Sequence, residues 1–536
     1  MTPTPATPDE GLFTPFHGMI AAHAASQPGG TAFLEGDRAL DWKTLHLRVG
    51  QVARALVAGG VAPGDHVAIL GFPSLPYAEC LFGAVAARAC VVPLVVSASA
   101  ETLAVMLADC DAKMVFLDPA ADASLVRVVD DFSASRAVPV VRFGDAGTDG
   151  DEYPAWRARG AADGVAASLP QSEPGDAFNI IYSSGTTGVP KGIVHLHGMR
   201  QQQARRNGFG FTPHSRTLLS TPMYSNTTLT PMLGTVANGG TCVLMRKFDA
   251  GHYLALAASR RATHTMLVPV QYKRILAHAD FVRSDLSAFE LSQCTGAPLE
   301  LAVKRDILAR WPGRFLEGYG LTEGGVTCFL DARQDPGKLA TVGRPAPGTE
   351  VFLIDEAGHR LPPDPTGTSV GEVVGRSPFM MAGYHRRPDA TAEIRWHDTQ
   401  GRMYHRTGDI GRFDADGFLT LLDRSKDVVI SGGHNIYPAD LEAVLARHAD
   451  VLESAVIGVP SAEWGETPLA LVVAKPGMAV DATALRDWVN TQVGRLQRLS
   501  AVELRDELPR SHLGKLSKRE LRAPYWSRAG AAPAAP

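Results

Sequence analysis

Short apolar runs, HVAIL, VVPLVV, KMVFLD and VPVVRF, recur along the first part of the chain, each separated from the next by a segment with helical spacing. This alternation restricts the fold more than any other feature of the sequence. A run without polar interruption is buried on both faces as a strand, and strands that alternate with helices pair in parallel because each crossover returns the chain to the same end of the sheet. Ahead of HVAIL, Leu45, Val49, Val52 and Leu56 mark one face of a helix that the turn GVAPGD ends, and AETLAVMLADC supplies another helix further on. The pattern predicts a doubly wound, largely parallel α/β architecture, in which ligands sit beyond the carboxyl ends of the strands.

The alternation stops near Gly343. From there to Leu422 short strands and turns (EVFLID, GEVVGR, GFLTLLD) predict a small β subdomain. A second change comes at Asp423. Beyond it Pro438 stands at a first helical position, Leu441, Val444 and Leu445 share one face, and the strands SAVIGV and LALVVA follow. We therefore expect a large N-terminal domain over 1–423 and a small α+β domain over 424–536, with no internal repeat.

Composition narrows the partners. A net charge of -4 without a basic block argues against nucleic acid. The most apolar stretch, FGAVAARACVVPLVV, is interrupted by Arg88 and Pro93, and the N-terminus lacks the basic start and apolar run of a signal peptide, so neither a membrane span nor export is expected. Cys80, Cys90, Cys110, Cys242, Cys294 and Cys328 are scattered without a CxxC pair, which fits a reducing cytoplasm better than a disulfide framework or a zinc site. The tail AGAAPAAP has nothing with which to bury itself and is expected to be disordered.

The segment IIYSSGTTGVPKGIVH carries the chemistry. A strand-like start runs into Ser183, Ser184, Gly185, Thr186, Thr187 and Gly188, and ends in Pro190, Lys191 and Gly192. Glycines let backbone N–H groups approach an anion, hydroxyls add donors and the lysine adds charge, so the loop suits phosphates. It is not a Walker loop, because Lys191 precedes Gly192 instead of Ser or Thr. A flexible linker has similar composition, but its placement between two apolar runs and its Pro-Lys-Gly end set this segment apart.

YSSGTTGVPKG resembles the phosphate-loop signature of the adenylate-forming superfamily of acyl-CoA synthetases, nonribosomal peptide synthetase adenylation domains and luciferase. CTGAPL, GYGLTEGG, TVGRPAPG, YHRTGDIG, DRSKDVVISGGHNIYP and LPRSHLGKLSKREL follow in order, so the resemblance covers nearly the whole chain. The motifs are closest to the acyl- or aryl-CoA ligase branch. This resemblance implies ATP, Mg2+ and coenzyme A, a small-molecule carboxylic acid, and a mobile C-terminal domain. Gly296, Ala297 and Pro298 would frame the adenine, with Tyr319 against it and Gly320 beside it. Thr322 would bond the α-phosphate, Glu323 would hold Mg2+, and Lys191 would serve the phosphates. Asp409 and Arg424 would take the ribose, and Lys426 would be the hinge. Lys515 would bridge the reacting carboxylate and the nucleotide, after which the loop with Gly432 and Gly433 would admit the pantetheine arm. His195 and His197, without an HExxH motif, read as structural.

One stretch departs from the pattern. In STPMYSNTTLTPMLG Tyr224 is kept, but Ser225 stands where many relatives have histidine, and Thr295 stands where a glycine is common. If Ser225, Asn226, Thr227 and Thr295 face the acid, with Gly320, the pocket is short and polar and favours a compact, branched, cyclic or hydroxylated acid. The same residues are also good helix N-caps. Competing readings are an adenylating enzyme that loads a carrier protein, a luciferase-like use of the adenylate, and an inactive acyl- or nucleotide-binding regulator.

Overall fold

The computed structural model describes residues 13–143, 152–161, 169–183, 190–432, 434–510 and 516–528. They fall into two compact units. The first runs to Leu339 and adds Pro345–Glu350 and Arg376–His405; the second comprises Ala340–Arg344, Val351–Gly375 and the chain from Arg406.

Two sheets build the first unit. One has seven strands in the order Gly383–Tyr384, Lys191–Leu196, Ala177–Ser183, Cys90–Leu94, His66–Leu70, Met114–Leu117 and Val140–Arg142. The apolar runs of the sequence form its parallel part, and Lys191–Leu196 turns back antiparallel to Ala177–Ser183. The helix Trp42–Ala58 starts at Asp41, whose carboxylate accepts from the Thr44 N–H, and buries Leu45, Val49, Val52 and Leu56 as their spacing predicts. It packs against the helix Leu75–Ala86, in which every residue but Pro76 is buried. That burial explains the apolar stretch around Arg88 without a membrane. Among the described residues no helix is long and apolar enough to cross one.

In the second sheet the strands Thr327–Asp331, Arg314–Gly320, Leu291–Thr295, His264–Leu267, Arg216–Leu219, Thr241–Leu244, Thr31–Glu35 and Arg38–Asp41 are successive neighbours. Parallel pairing runs from Arg314–Gly320 to Thr31–Glu35, and the end strands are antiparallel. All six cysteines lie in this unit, buried and free. The architecture is the doubly wound α/β arrangement the alternation predicts.

The strand Met403–Phe413, which enters the second unit at Arg406, pairs antiparallel with Leu419–Arg424. The C-terminal part centres on the long antiparallel pair Val451–Ser461 and Gly465–Ala474. Alternation along these strands makes two cores. Val456, Ala470 and Val472 face Leu441, Leu445, Leu485 and Val489 of two helices, while Ala455, Ile457, Leu469 and Leu471 face Leu508 and Leu521. Pro438 is at the first helical position of Pro438–Leu445, where its missing N–H costs no hydrogen bond. The tail AGAAPAAP lies outside the described residues.

Candidate active site

The strand leaving the glycine-rich loop is held from two sides. Its Lys191 pairs with Ser183, and its outer edge takes Gly383–Tyr384, with the His385 N–H donating to the Gly192 carbonyl at 2.7 Å. This pairing sets the Tyr384 ring 5.1 Å from Lys191 Nζ. The Tyr384 hydroxyl donates to Glu323 Oε1 at 2.7 Å, and the Met381 N–H donates to the Glu323 carbonyl at 2.9 Å. Burial first, and then the neighbouring Glu323, push the Tyr384 phenol far above its ordinary range, so it stays a donor at any physiological pH. The next residue, Gly324, has φ +72°, and a Cβ there would fall 2.0 Å from the Phe379 carbonyl oxygen, so only glycine fits.

Thr322 is fixed from behind. Its carbonyl accepts from His195 Nε2 at 2.7 Å, which requires the hydrogen on that nitrogen and leaves Nδ1 to accept from Arg200 Nη2 at 3.1 Å. Burial and then the Arg200 charge hold the His195 imidazole well below its ordinary value, so it is neutral. Arg200 is fully buried and brought down to about 9 by that burial. Its other donors go to Asn179 Oδ1 at 2.9 Å, Gln203 Oε1 at 2.7 Å and Asn226 Oδ1 at 2.7 Å. His195 is thus structural, as its motif context suggests.

Tyr224 is buried, with its hydroxyl 3.2 Å from Ser97 Oγ. Ser225 caps the helix Asn226–Ala237, its Oγ accepting from the Thr227 N–H at 3.2 Å, so the capping alternative is realised. Thr295 Oγ1 donates to the Gly318 carbonyl at 2.9 Å. Register puts Thr295, Gly318 and Phe329 side by side on one face of the sheet, and Gly320 lies two residues along from Gly318 on that face. The same face carries the helix Asn226–Ala237, tied to it by Thr235 and Thr217 hydroxyls 2.6 Å apart. Gly296, at φ +92°, turns the chain out of the strand into Ala297 and Pro298, and Tyr319 pairs with Cys328.

In the second unit, Asp409 and Arg424 are register partners and form an ion pair of 2.6 Å, with Asp409 buried and Arg424 partly exposed. Lys426 sits in the short turn Ser425–Asp427, and burial lowers its ammonium. The helix Lys518–Arg528 grips this turn: Lys518 Nζ lies 3.2 Å from Asp423 Oδ2 and 2.9 Å from Glu442 Oε1, and Arg522 Nη1 donates to the Lys426 carbonyl at 2.9 Å. Gly432, at φ +56°, donates its N–H to the Trp464 carbonyl. Ser184, Gly185, Thr186, Thr187, Gly188, Gly433 and Lys515 lie outside the described residues.

The donor set at Glu323 fits Mg2+. Oε1 is taken by Tyr384, whereas Oε2 has no hydrogen bond among the described residues. Those residues hold no group of three or more potential ligands, and Mg2+ suits such a place because it keeps waters and needs only one or two carboxylates beside nucleotide phosphates. Tyr384 and Arg200 escape sequence reading. Tyr384 is signalled only by Pro388 four residues on, which opens a helix at a fixed distance from the strand, and Arg200 sits in HGMRQQQARR, which reads as a solvated face.

A family model for AMP-binding enzymes matches residues 20–385, and one for the AMP-binding enzyme C-terminal domain matches 440–515. The chain is similar to the feruloyl-CoA synthase of an Amycolatopsis species, with 34% identity over 506 residues, 93% of this chain and 96% of that protein. It is similar to the fatty acid–acyl-carrier-protein ligase ScoC of Streptomyces coeruleorubidus, with 31% identity over 519 residues, 94% of this chain and 95% of that one. Among solved structures, ATP-bound MatB from Rhodopseudomonas palustris superposes with a TM-score of 0.84 at 28% identity, covering 96% of this chain and 99% of that one.

Proposed function

The chain belongs to the family of AMP-binding enzymes, and from that premise we propose that it is an ATP-dependent ligase that joins a carboxylic acid to coenzyme A. The observation that carries the reading is the linked set of Lys191, Tyr384 and Glu323 at the exit of the glycine-rich loop. It offers a cation and a carboxylate with a free oxygen, next to a segment composed for phosphates.

In the first step an oxygen of the acid attacks the α-phosphorus of ATP, the bond to the β-phosphate breaks, and acyl-AMP and pyrophosphate result. Two anions must meet, so the residues around them screen charge and hold the oxygens in line. Lys191 and the loop Ser183–Gly188 serve the phosphates, Thr322 bonds the α-phosphate from the backbone that His195 steadies, and Lys515 bridges acid and nucleotide. Gly296, Ala297, Pro298, Tyr319 and Gly320 take the adenine, and Asp409 and Arg424 the ribose. Mg2+, held by Glu323, supplies neutralising charge to the phosphates when bound. In the second step the thiol sulfur of coenzyme A attacks the acyl carbonyl and AMP leaves. Lys426 acts as the hinge that withdraws Lys515, and Gly432 and Gly433 admit the pantetheine arm. The acid is compact, branched, cyclic or hydroxylated.

The similarity to ScoC favours a second reading, with a carrier protein as the acceptor. A panel of carboxylic acids tested for acid-dependent AMP release with coenzyme A, with a phosphopantetheinylated carrier protein, and with neither separates the two. Turnover that rises only with coenzyme A is expected; turnover that rises only with the carrier would overturn the acceptor assignment.

A further inference from the structure

The face of the sheet that carries Thr295 has a bare strip. Gly318 and Gly320 contribute no side chains, so Thr295 and Phe329, on the strands to either side, stand roughly 10 Å apart, two strand spacings, with only backbone between them. The Phe329 ring leans over this gap, 3.1 Å from where a Gly318 Cβ would be. Behind that ring lies Arg206. Its guanidinium carbon is 3.9 Å from the Phe379 ring centroid, 5.5 Å from that of Phe329 and 5.9 Å from that of Phe209. Phe379 is in turn the residue whose carbonyl crowds Gly324, directly after Glu323. Arg206 therefore stands among three aromatic rings that join the bare strip to the Glu323 turn.

Its polar edge has no partner among the described residues. The Arg206 side chain makes no ion pair and no hydrogen bond among the described residues, unlike Arg200 six residues earlier, whose donors are matched. Stacking satisfies the flat face of a guanidinium but not its in-plane N–H groups, and because Arg206 is only partly buried those groups stay open to water or to an oxyanion. An oxyanion offers those N–H groups two parallel hydrogen bonds. Burial also brings the Arg206 guanidinium down to about 10, which leaves it charged at neutral pH.

We propose that Arg206 reads a second anionic group on the acid, so that the preferred substrates carry a carboxylate or sulfonate at the end remote from the carboxyl that is adenylated. This rests on the ligase reading above and narrows its substrate class. The aromatic walls accept the body of the acid, and the guanidinium edge pairs with its far end.

The test is kcat/KM for acid-dependent AMP release with matched acids, 4-carboxycinnamate against 4-nitrocinnamate and glutarate against 4-nitrobutyrate. Nitro is a neutral group of carboxylate shape. The wild type is expected to favour the dianionic member of at least one pair. Arg206→Gln is expected to reduce that preference on the order of 10²-fold, the worth of a charge-assisted pair, and Arg206→Lys to restore part of it. The ratio within a pair cancels any general loss from misfolding. Acid-dependent AMP release with no preference for the dianion, or with a ratio unmoved in Arg206→Gln, overturns the role of Arg206 alone. No AMP release with any acid overturns the ligase reading and this inference with it.

Discussion

Arg200 in the first unit and Lys518 in the second are both buried cations, and they are stabilised in opposite ways. Arg200 has only neutral acceptors, the amide oxygens of Asn179, Gln203 and Asn226 and the imidazole of His195. Lys518 sits between two carboxylates, Asp423 and Glu442. Their acidities differ accordingly. Burial alone brings Arg200 down, whereas for Lys518 burial works in the same direction but the charges of Glu442 and Asp423 outweigh it and raise the ammonium. The difference teaches that the first arrangement orients and the second neutralises. Arg200 fixes the His195 tautomer that holds Thr322 and also holds Asn226 at the start of the helix that Ser225 caps. Lys518 compensates a cluster that would otherwise repel itself, since Asp427 and Glu442 are both raised by burial.

The largest effect is expected from Lys518→Met. It leaves Asp423 and Glu442 without their cation, and loss of one partner from a buried charged cluster costs about 3–5 kcal/mol. The sign of the pH dependence follows from the carboxyls left behind. Burial raises the Glu442 carboxyl above its ordinary range, so the folded state gains that proton first and, relative to the wild type, the variant recovers stability as pH falls from neutral. Denaturant unfolding of the variant at pH 7 and pH 5.5 measures this. Equal losses at both would remove the distinction drawn here.

Arg200→Met is expected to cost less, about 2–3 kcal/mol, because the groups it strands are neutral. It should show no acid recovery. Arg200 is protonated in both folded and unfolded chains below pH 8, and the buried histidines pull the other way. His195 is held low, and His197 and His405 are brought to about 4 chiefly by burial. The unfolded chain therefore takes up protons first, and stability falls as pH drops from about 6.5 to about 4. A variant that became more stable at pH 5.5 than at pH 7 would break the comparison.

Asn226→Ala should have the smallest effect, roughly 1 kcal/mol, since it removes one of four Arg200 acceptors. Thermal unfolding detects this, and hydrogen exchange in the helix Asn226–Ala237 shows whether the loss is local. A cost as large as that of Arg200→Met would mean that Asn226 carries the network by itself.

The sequence is most informative where one local rule suffices. The strand at 66–70 follows from an apolar run, and the helix at 42–58 from Leu45, Val49, Val52 and Leu56. Glu323 is legible from GYGLTEGG, whereas its partner Tyr384 is not, because their contact needs a strand pairing with a segment nearly two hundred residues away. Arg200 is hidden for another reason: nothing local distinguishes an arginine with four side-chain acceptors from one in water. At Thr295 the reading of a pocket hydroxyl meets a hydroxyl already committed to the Gly318 carbonyl. Ser225 is a capping residue in the structure, and residue type alone does not separate that role from a pocket hydroxyl.

The grip of the helix Lys518–Arg528 on the turn at Lys426 has a mechanical consequence. Lys518 and Arg522 are one helical turn apart and hold Asp423 and the Lys426 carbonyl, so the helix lies along 423–426 as a splint. Trp526 fastens its far end by donating to the Gly458 carbonyl. A splinted segment does not twist by degrees. If Lys426 serves as the hinge proposed above, rotation there must either carry the helix with it or release both grips together.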